Sequence, residues 1–158
     1  VPVLRPSEID AFLAERGHLL RIATVDAEGV PRCVPVWFVA EEGALFVTPR
    51  ERSAWWHDLQ RRPVASMVVD ETAAPYRKVM VRGEVHVVHG IGEDDAWRDR
   101  YRRIAERYLS ADAAERYLTG TRDEPRALIS MPLAGATTWR MPVPGEDPAS
   151  IWAARYYH

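Results

Sequence analysis

The 158-residue chain has one cysteine, Cys33, which rules out an internal disulfide and any cysteine-cluster metal site and fits a reducing cytoplasm. It lacks any apolar run near the roughly 20 residues that span a bilayer. Its opening, Val1-Pro-Val-Leu-Arg-Pro6, has no charged leader ahead of an apolar stretch, so no secretion signal is expected. Neither sign of charge dominates: 21 basic and 23 acidic residues give a formal net charge of -2, with no overall pull toward nucleic acid or an anionic membrane. Three enzyme signatures are missing, namely Gly-x-Gly-x-x-Gly after a strand, a phosphate loop ending in Gly-Lys-Ser/Thr, and a Gly-x-Ser-x-Gly elbow. Histidines offer no replacement. His86 and His89 fall on opposite faces of a strand, and His57 and Asp58, adjacent on a helix, do not face each other and read as surface residues. No metal site is expected.

What is present is ordinary globular usage, 47% hydrophobic and 28% charged, enough for one domain over residues 1–158. The most informative stretch is Val30 to Ala40, which reads as one long strand. Alternation puts Arg32 on a face with Val34, Val36 and Phe38, while Cys33, Pro35 and Trp37 point the other way. Pro35 removes a ladder donor and so argues for a sheet edge, a bulge, or backbone left open to a ligand. Arg32 is either a solvated edge residue or the partner of an anion, for which its planar fork suits phosphate.

The elements follow in order. Ser7 caps a short helix that stops at Gly17, with Ile9, Phe12 and Leu13 on one face. His18–Val25, the Val30–Ala40 strand and Ala44–Thr48 form an antiparallel meander through two acidic turns. Thr48 to Ser53 then interrupts the pattern, and Ser53 caps a helix that Pro63 ends. Arg50, Arg52, the Ser53 hydroxyl and the first helical amides together suit an anion. In that helix Trp55 and Trp56 either stack on a planar ring or pack against the sheet, packing being the simpler role.

Val64–Asp70 is a strand, and Tyr76–Val88 is the longest β signal, with Val79, Val81, Val85 and Val87 on one face and Gly83 marking a bulge, a bend or a close approach. From Glu93 the period becomes helical, with Trp97, Tyr101, Ile104 and Tyr108 forming the apolar stripe of one helix through Leu109. Its arginines are offset by acids and read as a solvated face. Ala127–Met131 and Ala136–Met141 are the last strands, and the aromatic tail Ile151 to His158 is expected to dock on its own domain or a partner chain.

Ala23 to Arg32, Val34 to Phe38, Phe46 to Thr48, Ser53 to Pro63 and Ala74 to Gly83, taken as an ordered set, resemble the pyridoxamine 5'-phosphate oxidase-like superfamily, and within it the flavin/deazaflavin oxidoreductases. The resemblance implies a mainly β fold with flanking helices, an antiparallel split β-barrel. Its barrel core would lie at about 18–90 and 126–141, with a helical insertion at about 93–118 and a tail at 142–158. It also implies a homodimer whose cofactor groove, for flavin mononucleotide (FMN) or the deazaflavin coenzyme F420, lies between subunits. Arg32 is similar to the family's phosphate-contacting arginine, and Val34, Pro35, Val36 and Trp37 would run along the ring. Thr48 and Ser53 would hold the phosphate side, and Arg77 with Lys78 would stand where relatives offer polar groups to the cofactor, often from the second subunit.

Two departures stand out. Trp55 occupies the position of a lysine that commonly grips the cofactor phosphate, so Arg50 or Arg52 must compensate or the cofactor is bound differently or lost. Arg155-Tyr-Tyr-His158 has the wrong spacing for the Arg-x-His substrate motif of the pyridoxamine phosphate oxidases, which argues against vitamin salvage. The expectation is therefore a cytoplasmic oxidoreductase passing hydride between a bound flavin or deazaflavin and a small planar organic substrate. The alternative is a non-catalytic binder of a flavin, haem or other planar ligand. Binding of single-stranded nucleic acid is disfavoured by the balanced charge, and no membrane association is expected.

Overall fold

The computed structural model of the protein describes residues 3–146. The expected docking of the aromatic tail lies outside the described residues. Among the described residues nine strands, β1 (Leu20–Val25), β2 (Pro31–Val36), β3 (Phe38–Glu41), β4 (Ala44–Val47), β5 (Val64–Asp70), β6 (Lys78–Glu84), β7 (His86–His89), β8 (Leu128–Pro132) and β9 (Thr137–Trp139), form two antiparallel sheets. One has the order β2-β1-β5-β6-β9 and the other β3-β4-β8-β7. The helices are α1 (Pro6–Ala14), α2 (Ala54–Arg61), α3 (Arg98–Glu106) and α4 (Ala111–Gly120). This is the mainly β split barrel with flanking helices.

The sheets are joined because two apparently continuous strands are divided. The Val30–Ala40 stretch is not one strand: it leaves the first sheet after Val36 and enters the second at Phe38. At the break, Trp37 stacks on Tyr108, with centroids 5.0 Å apart and planes 7° from parallel, and the Phe38 amide donates to the Tyr108 hydroxyl at 3.3 Å instead of to a strand. Tyr108 in turn donates to the His18 carbonyl at 2.7 Å, which fixes the corner. Tyr76–Val88 divides likewise. Gly83 takes φ +149°, the Val85 amide turns to the Pro63 carbonyl at 2.8 Å, and β7 continues in the second sheet. Val79, Val81 and Val85 are buried as expected, but Val87 lies beyond the switch and is 56% exposed.

Side-chain alternation in the second sheet feeds two cores. Phe38, Leu45, Val47, Ile129 and Met131 face the space between the sheets, where they meet Phe12, Leu20, Ile22, Met67 and Val79. Their neighbours Val39, Phe46 and Leu128 face outward and are covered by Trp97, Tyr101, Ile104 and Leu118 of the helical insertion. That insertion is not one helix. A 3-10 turn, Asp94–Trp97, precedes α3, and α4 follows with Ser110 accepting from the Ala113 amide at 3.3 Å. The α3 arginines are not merely solvated either. Arg100 and Arg103 both bind Glu41 on the β3–β4 hairpin, at 2.9 and 2.6 Å, and tie the helix down.

At the first helix, Pro6 takes the opening helical position and Arg5, not Ser7, is the cap residue, its amide donating to Glu8 Oε2 at 2.7 Å. β2 is an edge strand, which explains how Pro35 is tolerated. Asp58 is no surface residue. It is 1% exposed and accepts hydrogen bonds from Thr24 Oγ1 at 2.8 Å, Arg32 Nε at 2.9 Å and Arg61 at 2.8 Å.

Candidate functional site

The corner at Trp37 opens a cleft of about 450 Å³, within the usual range for a small-molecule site. One wall is the end of edge strand β2, where Pro35, Val36 and Trp37 expose backbone that no neighbouring strand covers. The second wall is the loop from Thr48 to Ser53 and the start of α2, including Trp55. The third comes from the insertion: Tyr101 of α3, Tyr117 of α4, and Arg126 just ahead of β8. Backbone bonds stitch the second and third walls together. Glu51 N–H donates to the Pro125 carbonyl and Ala127 N–H to the Pro49 carbonyl, both at 3.0 Å, with Arg50 and Arg126 paired between them.

This stitching concentrates positive charge. Arg126 donates to the Thr48 carbonyl at 3.1 Å and to the Tyr117 hydroxyl at 3.0 Å, and its guanidinium lies 5.0 Å from the Tyr101 ring centroid. Arg50 reaches toward the same Tyr117 hydroxyl at 3.5 Å and pairs with Glu124 at 3.1 Å. Burial pushes the Tyr101 hydroxyl well above the ordinary phenol range. Burial pushes Tyr117 up as well, but the neighbouring Tyr101 hydroxyl and the charges of Arg126 and Arg50 outweigh it and hold Tyr117 below the ordinary value. Ser53 occupies the α2 cap position, yet its hydroxyl makes no capping bond. Trp56 N–H donates to the Ser53 carbonyl at 3.0 Å, which leaves the Ala54 and Trp55 amides ahead of it as the uncommitted donors of the helix start.

Of the residues singled out from sequence, Pro35, Val36, Trp37, Thr48, Arg50, Ser53 and Trp55 line this cleft. Trp55 is also buried in the core between the sheets, so packing and cleft roles coincide. Val34 is half-buried against the same core. The other four lie elsewhere. Arg32 is held by Asp58, and Arg52 lies on an adjoining groove, with Glu51, Asp123 and Glu124, that shares Arg50 with the cleft. Arg77 is clamped by Glu71 and Glu15 at 2.6 and 2.8 Å, and Lys78 Nζ sits 5.3 Å from the Trp139 ring centroid. Sequence reading missed Leu19, Tyr101, Tyr117 and Arg126. Tyr101 is visible on the α3 stripe but reads there as core, while no local signal marks Arg126.

The model for pyridoxamine 5'-phosphate oxidase matches residues 6–140. No curated protein matches the chain in sequence. Among solved structures, a conserved hypothetical protein of Mycobacterium tuberculosis is similar over 94% of this chain and 95% of its own, at 18% identity and a TM-score of 0.70. The haem-storage protein of Vibrio cholerae is similar over 86% of this chain and 94% of its own, at 22% identity and a TM-score of 0.64. An F420 reductase is similar over 84% of this chain and 94% of its own, at 24% identity and a TM-score of 0.57. At these identities the structural likenesses speak for the fold. Together with the match over residues 6–140, they place the chain in the pyridoxamine 5'-phosphate oxidase family.

Proposed function

We propose that the protein is an oxidoreductase that passes hydride between FMN or the deazaflavin coenzyme F420, held in the cleft at Trp37, and a small planar organic substrate. The observation that carries this reading is the juxtaposition in one cleft of an open strand edge, Pro35 to Trp37, with the donor-rich loop from Thr48 to Ser53. A flat ring fits against the first and its charged side chain against the second. The uncommitted Ser53 hydroxyl and the basic Arg50 are the right chemistry for a phosphate, so the residues present fit the cofactor. When bound, a flavin or deazaflavin supplies the hydride chemistry itself. The protein's share is to orient the ring by backbone groups of β2, to shut out water with Trp37 and Trp55, and to set the local charge with Arg50 and Arg126.

The same reading makes the protein a cytoplasmic homodimer, with Arg52 and Lys78, which lie off this cleft and form no ion pair among the described residues, open to a partner's cofactor, while Arg32 and Arg77 stay committed to Asp58 and to Glu71 and Glu15. A second reading, a binder of a flavin, haem or other planar ligand without turnover, is favoured by buried Trp55 at the lysine position. The likeness in fold to both an F420 reductase and a haem-storage protein suits either reading. Fluorescence titration with FMN and with F420, followed by reduction and exposure to a quinone acceptor, separates them. The oxidoreductase reading expects tight binding of one cofactor and reoxidation by the acceptor. A chromophore that binds but passes no electrons supports the second reading, and no binding of either cofactor overturns the first.

A further inference from the structure

Arg126 is the only buried cation among the described residues. It is 5% exposed, and among the described residues its guanidinium forms no ion pair. The acid closest in bonding, Asp94, takes the Arg126 backbone amide at 3.0 Å, and Glu124 is engaged by Arg50. The guanidinium has instead a carbonyl, a hydroxyl and the face of Tyr101, and its Nε is buried with no hydrogen-bond partner. The Tyr101 hydroxyl is similarly placed: the residue is 4% exposed, lines the cleft, and its oxygen, although beside the Tyr117 hydroxyl, completes no hydrogen bond of normal geometry. A buried cation without a counter-ion and a buried hydroxyl without a partner each oppose folding. Both residues line the cleft, where one oxyanion could answer both deficits.

We propose that Arg126, with the Tyr101 and Tyr117 hydroxyls, is the oxyanion seat of the cleft, taking the phosphate monoester or carboxylate of a planar ligand. The guanidinium fork matches such a group, and two Nη protons remain beyond its bonds to Thr48 and Tyr117. Arg50, half-exposed and shared with Glu124, is the outer cation that guides the anion in. The seat replaces from another part of the chain the charge that Trp55 removes from α2. It presupposes that the cleft is the ligand site but not that the ligand is a flavin.

The test uses the full chain at constant ionic strength, with inorganic phosphate, benzoate, FMN and riboflavin as probes and chloride as the control. Phosphate or benzoate is expected to raise the melting temperature where chloride does not, and Arg126→Gln to abolish the rise. Anion affinity should fall about 10- to 100-fold in Arg126→Gln, as for loss of a charged hydrogen bond, and less in Tyr101→Phe. Weakened FMN binding with unchanged riboflavin binding assigns the seat to the cofactor's phosphate. Unchanged FMN binding with lost benzoate binding assigns it to the substrate. If neither FMN nor F420 binds but phosphate binding still depends on Arg126, the flavin reading falls and the seat stands. Equal anion binding by wild type, Arg126→Gln and Tyr101→Phe overturns the seat, as does a wild type that binds none of the anionic probes. Should Arg126→Gln fail to fold, Arg126→Lys keeps the charge without the fork and is expected to bind about tenfold more weakly than wild type.

Discussion

Asp58 and Arg126 are both charged and almost wholly buried, yet their surroundings are opposite. Asp58 is closed: Thr24, Arg32 and Arg61 all donate to it. Burial pushes its carboxyl up, but the bonds from Arg32 and Thr24 and the Arg61 charge outweigh that and hold it below the ordinary carboxylate range. Arg126 is open, with neutral acceptors, an aromatic face and an unmatched Nε. A closed buried charge is spent on the fold, because its partners are already supplied by the chain. An open one beside a cleft reserves its charge for something the chain does not contain.

The largest way to strain this contrast is Trp55→Lys, which restores the family's lysine but puts a second buried cation near the first and empties an aromatic site in the core. A loss of about 3 kcal/mol or more in urea unfolding is expected, partly recovered by phosphate. Asp58→Ala comes next. It strands the Thr24 hydroxyl and two arginines that are partly exposed and can rehydrate, so about 2–3 kcal/mol should be lost while ligand affinity stays within about threefold.

The same carboxylate sets a pH signature. Its folded pKa is depressed, so its stabilisation is fully present above the unfolded value near ~3.9 and disappears as pH falls through the folded one. Wild type should therefore lose its margin over Asp58→Asn only below about pH 4, as read from urea midpoints across pH. Arg32→Ala removes one half-exposed partner and should cost about 1 kcal/mol, with FMN affinity little changed if Arg32 serves Asp58 first. A large loss of FMN affinity in that variant would move the anion site from Arg126 to Arg32. Smallest is Ser53→Ala, expected to alter stability by only a few tenths of a kcal/mol because no capping bond is lost, yet to weaken phosphate binding measurably.

These contrasts also show what a sequence carries. The seven strand segments, the edge position of Pro35, the bend at Gly83 and the donor-rich loop were legible because each depends on local chemistry, a missing amide, a missing Cβ or a helix start. The switches at Trp37 and Val85 were not. Both residues are apolar and strand-prone, and alternation passes through them unbroken; the Phe38 bond to distant Tyr108 and the Val85 bond to Pro63, neither of them local, help turn the chain. Asp58 had a signal that pairing it with His57 obscured: it lies three residues after Trp55 and beside Leu59, on the buried face of α2. Arg126 had none, since its meaning comes from Thr48, Tyr101 and Tyr117, which tertiary folding brings to it.

The most direct measurement is a crystal structure of the protein grown with FMN and benzoate together. The account predicts a planar ring along Pro35 to Trp37 and an oxyanion, phosphate or carboxylate, within hydrogen-bond reach of Arg126 and the Tyr101 hydroxyl, with Asp58 still closed by Arg32. A ring in the cleft whose phosphate sits on Arg32, freed from Asp58, with Arg126 contacting neither anion, would contradict it.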